Sequence, residues 1–149
     1  KMKTLFPVIA TTALLSIAAP VFAHAADDVA PTTLTITVSN IQAMSGSLQI
    51  GVYHSESGWV AGEAVNGAMV TVDDVNESVT IHGLEPGEYG LKMYHDVDGD
   101  GAMSTNLMGV PLEPFAFSNN AMGRFGPASW DDAMFTVSAG ENSHAINLH

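Results

Sequence analysis

Apolar and polar residues alternate with a period of two through much of the chain from residue 34 onward. In LTITVSN (34–40), Leu34, Ile36 and Val38 interleave with Thr35, Thr37 and Ser39. That spacing, on β-branched side chains, predicts a strand with one face in the core. SLQIGVY (47–53) repeats it through Leu48, Ile50 and Val52, and the turn-like AMSG before it predicts a hairpin between the two. HSESGWVAGEAVNG (54–67) loses the alternation and reads as a loop with one helical turn. AMVTVDD (68–74) and ESVTIHG (77–83) are two further short strands around the acidic turn Asp73–Asn76.

In LEPGEYGLKMYHD (84–96), Pro86-Gly87 suits a type II turn, since proline presets φ and glycine accepts a positive one. The strand after it places Tyr89, Leu91, Met93 and His95 on one face and Gly90, Lys92 and Tyr94 on the other. From Asp96 to Asp132 the alternation stops, and AMFTVSAG (133–140) and SHAINLH (143–149) restore it around Ala139-Gly140. About seven short strands and no long helix predict an all-β fold. The expected form is an antiparallel β-sandwich, immunoglobulin-like or transthyretin-like, with one long irregular loop before the last two strands.

A loop of that length is usually functional or disordered. Disorder is disfavoured, because Leu107, Met108, Val110, Phe115, Phe117, Phe125 and Trp130 are too much apolar surface to leave in water. The default role of the four aromatic residues is a satellite core beneath the loop. A sugar- or peptide-binding platform is the alternative.

At the start of this loop stands HDVDGDGAMSTN (95–106). Asp96, Asp98 and Asp100 with Gly101 occupy positions one, three, five and six of a D-x-D-x-D-G calcium loop. A tight turn brings alternate side chains toward one hard cation, glycine permits the bend, the Ala102 carbonyl takes position seven, and Ser104 takes position nine. Position twelve is Leu107, where an EF-hand has its bidentate glutamate, and the flanks are not helices. The missing carboxylate has to be replaced by an oxygen from elsewhere, and Asn106, Glu113, Asp131 and Asp132 are the candidates. The expected ligand set is Asp96, Asp98, Asp100, Ala102, Ser104 and Asn106, with calcium bound at roughly 0.1–1 mM. Millimolar calcium then adds about 0.4–1.4 kcal/mol of stability by mass action. The competing accounts are a solvated Asp-Gly turn and a pair of catalytic carboxylates, and nothing in the spacing divides the acids into a protonated and an ionised partner.

Residues 1–25 have the layout of a secretory signal peptide: Lys1 and Lys3, an apolar run from Leu5 to Ala19, and the small-x-small site Ala23-His24-Ala25. Residues 26–33 read as a polar leader and 34–149 as one domain. Cleavage near Ala25 leaves Lys92 and Arg124 as the only strong cations against sixteen carboxylates, a formal charge of −14. Such a charge disfavours nucleic acid and anionic membranes as partners and suits cations. There is no cysteine, which removes thiol catalysis and disulfides. The expected location is periplasmic or extracellular, with no membrane insertion after cleavage.

His54, His82, His95, His144 and His149 show no metal-helix spacing. Met93, Met103, Met108 and Met122 lie near His95 in sequence, which makes a copper site an alternative, although methionine also fills irregular apolar gaps. No G-x-S-x-G or G-x-x-x-x-G-K occurs. Arg124 is expected to pair with a carboxylate or, as a second choice, to hold an anionic ligand.

The segment 84–135 closely resembles the DUF2141 family of bacterial secreted proteins, whose function is uncharacterised. The matching elements are P-G-x-Y (86–89), H-D-x-D/N-G-D/N-G (95–101), T-N (105–106), G-x-P (109–111), F-S-N-N-A (117–121), F-G-P (125–127), and an aromatic residue before A-x-F (133–135). The resemblance implies an exported β-sandwich with no assigned catalytic residues. It also implies aspartate where this chain has Ser104, a change that weakens a cation site. The Pro-Gly-x-Tyr strand start is similar to that of transthyretin-like and collagen-adhesin B-type domains, which bears on fold only. The functional expectation is an exported, non-catalytic binding or interaction module for a protein or glycan, with Ca2+ ordering its long loop. The alternatives are a periplasmic copper carrier and a carboxylate-based hydrolase of extracellular polymers.

Overall fold

The computed structural model describes residues 31–149; the expected signal peptide over 1–25 lies outside them, as does most of the polar leader. Eight strands follow in chain order: β1 (Thr33–Ser39), β2 (Ser47–Tyr53), β3 (Asn66–Thr71), β4 (Glu77–His82), β5 (Gly87–Asp96), β6 (Phe115–Phe117), β7 (Phe135–Val137) and β8 (Glu141–Asn147). Two short helices interrupt them, α1 (Glu56–Ala61) and α2 (Trp130–Ala133). One sheet has the order β4-β1-β8 and the other β3-β2-β5-β6, with β7 paired to the start of β5. The fold is an all-β sandwich. Among the described residues, no helix is long and apolar enough to cross a membrane.

The alternation read from the sequence becomes the core. Leu34, Ile36 and Val38 of β1 meet Leu48, Ile50 and Val52 of β2 and Leu91 and Met93 of β5, all buried, with Ile81, Val137 and Ile146 closing the ends. Each such side chain taken from water contributes roughly 1.5–3 kcal/mol. The faces of β5 also fall as expected, with Tyr89, Leu91, Met93 and His95 all buried.

Three details differ from the expectation. β1 and β2 are not a hairpin: each is flanked on both sides by other strands, and they sit in opposite sheets. Their apolar rows are satisfied by facing one another across the core, so the chain between them crosses from sheet to sheet. Secondly, β1 pairs β8 in parallel, the other ladders being antiparallel. Thirdly, Gly87 does not supply the positive φ of a type II turn; Gly83 has φ 74° instead. Gly87 already lies in the ladder opposite Val137, and a Cβ there would stand 2.7 Å from the His54 ring.

The helical turn expected in 54–67 is α1, capped by Ser55 Oγ, which accepts the Gly58 N–H, and ended by Gly62 at φ 75°. Within the irregular stretch, β6 and α2 were not anticipated. Three residues are too few to show a period. Helix α2 did carry a sign, Ser129 three residues ahead of Asp132, and Ser129 Oγ does accept the Asp132 N–H.

Candidate functional site

Strand register fixes which side chains share the outer face of the larger sheet. Gln49 is opposite Tyr94 and Tyr94 opposite Phe115; Gly51 is opposite Lys92 and Lys92 opposite Phe117; Tyr53 is opposite Gly90. These residues alternate with the core positions, so they point away from the sandwich interior. At one end, α1 and α2 cover this face. Tyr53, Trp59, Phe117 and Trp130 pack there as a second apolar cluster with Ala128 and Ala133. Trp59 meets Trp130 edge-on at 5.9 Å between centroids, and its Nε1 donates to the Ala128 carbonyl at 2.9 Å. Gly90 makes room: a Cβ there would lie 2.9 Å from the Trp59 ring.

Lys92 emerges beside this cluster. Its Nζ donates to the Trp59 carbonyl and lies 4.5 Å from the Trp59 ring centroid and 4.8 Å from that of Tyr53. Burial among the rings pushes its pKa below the ordinary lysine value. Burial likewise raises the Tyr53 phenol.

The other end of the face is overhung by residues 97–127, and the space between is a groove of about 960 Å³. Its floor is Gly51, Lys92, Tyr94 and Phe115; Met103, Met108, Arg124 and Phe125 reach it from the loop. The expected burial of the loop's seven apolar residues is realised for two of them, with Phe115 half-buried. Phe117 and Trp130 are inside, but Leu107 is 108 % exposed, Phe125 104 % and Met108 88 %. Val110, Leu112 and Met122 are also exposed. The loop is thus held in place by something other than the burial of these groups.

What holds it is carboxylate oxygen. Asp96, buried at the end of β5, accepts the N–H groups of Gly99 and Asp100 on Oδ1 and of Gly101 on Oδ2. Glu113, also buried, accepts Val97 N–H at 2.8 Å on Oε1 and Ser104 N–H at 2.9 Å on Oε2. Between these anchors, Ser104 and Leu112 close a small hairpin, with Thr105 bridged to Pro111. Tyr94 Oη donates to the Gly101 carbonyl at 3.1 Å, joining the loop to the floor. Burial raises the Tyr94 pKa, and the negative charges of Asp96, Glu113 and Asp100 raise it further.

Asp96, Asp98 and Glu113 bring carboxylate oxygens within 4.8 Å of one another. Of the expected ligands, Asp96 and Asp98 are in this group and Glu113 is the supplementary carboxylate. Asp100 is not: its Oδ1 accepts the Ala102 N–H. Asn106 Oδ1 accepts from Met108 and Val110 and so closes its own turn. Asp131 and Asp132 lie in the first turn of α2. The three gathered oxygen donors suit a hard cation such as calcium, whose remaining ligands would be carbonyls or water. Asp96 and Glu113 together accept five backbone N–H groups.

His95 faces the interior, fully buried, with Nε2 2.7 Å from the Ser45 carbonyl and Nδ1 without a partner. Met103 and Met108 line the groove on the opposite side of the sheet, so they do not converge with His95.

A family model described as an uncharacterized protein conserved in bacteria (DUF2141) matches residues 36–145. The chain belongs to the DUF2141 family. No curated protein and no solved structure matches it. The motifs shared with DUF2141 proteins have structural work in this fold. In F-S-N-N-A, Ser118 Oγ accepts the Leu91 N–H and donates to the Ala133 carbonyl, clasping β5 to α2. Asn119 and Asn120 take positive φ, 59° and 52°. Asn119 Nδ2 donates to the carbonyls of Asp132 and Met134, and Asn120 Oδ1 accepts the Asn147 N–H. In H-D-x-D-G-D-G, the first aspartate is the loop anchor.

Proposed function

We propose that this DUF2141 protein is an exported, non-catalytic binding module. Its ligand surface is the groove between the outer sheet face and the 97–127 loop. Calcium at Asp96, Asp98 and Glu113 fixes the root of that loop. The observation that carries the reading is the exposure of Leu107, Met108 and Phe125 on a loop whose base is tightly tied. Displayed apolar side chains beside a concave floor are what a binding surface presents, and a loop with no partner gains nothing by holding them in water. Affinity at such a surface depends on keeping the loop ordered before the ligand arrives, which is the role assigned to the cation.

The test has two parts. The neutral dye Nile red should bind the folded protein, and Met108→Ser with Phe125→Ser should weaken that binding; a dye that ignores the folded protein overturns the groove reading. Melting in millimolar calcium against chelator should differ by the equivalent of about 0.4–1.4 kcal/mol. Superimposable melts overturn the calcium assignment alone.

A further inference from the structure

Among residues 31–149 there are two strong cations, Lys92 and Arg124, and fourteen carboxylates, Asp27 and Asp28 being the other two of the sixteen. Both cations line the groove, and none of the fourteen carboxylates does. The two come from separate parts of the chain, Lys92 from the middle of β5 and Arg124 from the glycine-rich turn at the rim. Where carboxylates outnumber cations seven to one, this sorting leaves one positive recess on a negative molecule.

The lining has two chemical parts. Lys92, stacked under two rings, gives one N–H to the Trp59 carbonyl and keeps two for a ligand. Arg124 is exposed at the rim with a fork suited to carboxylate or phosphate. Tyr94, Phe115, Met103 and Met108 offer apolar surface to something without charge. We propose that the groove takes a small amphiphile with a single anionic head, met by Lys92 and Arg124, and an apolar tail or ring laid along Tyr94, Phe115 and Met108. This rests on the groove being the binding surface. The ligand is a dissolved molecule and not an anionic bilayer, because the strongly negative chain is repelled by an extended negative surface while one small anion can enter the positive recess.

Decanoate and decanol, identical in tail, separate the head from the rest. Calorimetric and NMR titration of the full chain should give decanoate roughly tenfold or more tighter binding than decanol, the return on charge-assisted hydrogen bonds. Shifts should centre on Lys92, Tyr94 and Phe115. Arg124→Gln, at an exposed position, should remove much of the preference for decanoate over decanol. Lys92→Met, which keeps an aliphatic stem on Trp59, should do the same; if it fails to fold, Arg124→Gln decides. Equal affinity for the two probes overturns the anion proposal and leaves the groove reading standing. Silence from both probes and from Nile red overturns both. Decanoate shifts away from the groove, or capture by anionic vesicles in preference to free decanoate, also overturn the proposal.

Discussion

Glu113 Oε1 accepts the backbone N–H of Val97 at 2.8 Å, across sixteen residues of chain. Its other oxygen takes Ser104, so one buried carboxylate ties both ends of the acidic turn to the strand that follows. An amide has only one acceptor oxygen. Glu113→Gln therefore leaves one of the two N–H groups facing an N–H, and denaturant unfolding should show a loss of about 1–3 kcal/mol. Unchanged stability would mean that solvent replaces the lost acceptor and that the tie is not structural.

Asp98 separates ligation from loop support. It is exposed, and Asn at this position can still accept the Asp100 N–H that Asp98 Oδ1 now takes. Asp98→Asn should alter stability in chelator by no more than about 0.5 kcal/mol, yet should abolish the rise in melting temperature on adding calcium. A calcium response equal to that of the parent protein removes Asp98 as a ligand.

Gly46 lies under the same turn. It has φ 70°, and a Cβ there would fall 1.8 Å from the Asp96 carbonyl oxygen. Both the backbone conformation and the space forbid a side chain. Gly46→Ala should cost about 3 kcal/mol or more in unfolding free energy. Amide exchange should quicken first in 96–101.

His144 gives the fold a dependence on pH. Its ring stacks on Phe135 at 4.0 Å, and its Nε2 accepts the Asn119 N–H at 3.0 Å. Burial lowers its pKa below 6.5, so the unfolded chain takes up the proton first as pH falls. The contribution is intact above pH 6.5 and is lost as pH drops through that value toward the lower folded one. His144→Gln, which keeps an acceptor and cannot titrate, should flatten the stability profile between about pH 5 and 7. A profile as steep as that of the parent assigns the effect to other groups.

The sandwich was legible because its core rests on period-two rows in β1, β2 and β5, and burial of those rows follows from alternation alone. Pairing was not. Leu34, Ile36 and Val38 look the same whether β1 lies beside β2 or across from it, and the choice depends on contacts with β4 and β8, about forty residues or more away. In the loop, the Asp96 spacing was readable, while Glu113 was one of four oxygen donors, three of them carboxylates, that sequence could not rank. Its selection comes from the hairpin 104–112, whose closure through Asn106 returns the chain to the acidic turn. Aromatic content alone also misled: Phe117 and Trp130 are buried, whereas Phe125, in a turn of glycine and proline, is held outward.

The parallel pairing of β1 with β8 runs in register from Thr33↔Glu141 to Ser39↔Asn147. β1 therefore keeps one edge unmatched until β8, more than a hundred residues further along the chain, is available. A chain delivered amino end first can assemble β2 with β3 and β5 early, but its smaller sheet must wait. Such separation in sequence slows closure and favours folding after the whole domain is free. Removing β8 should thus leave a sticky, unfinished edge on β1 where the intact protein has none.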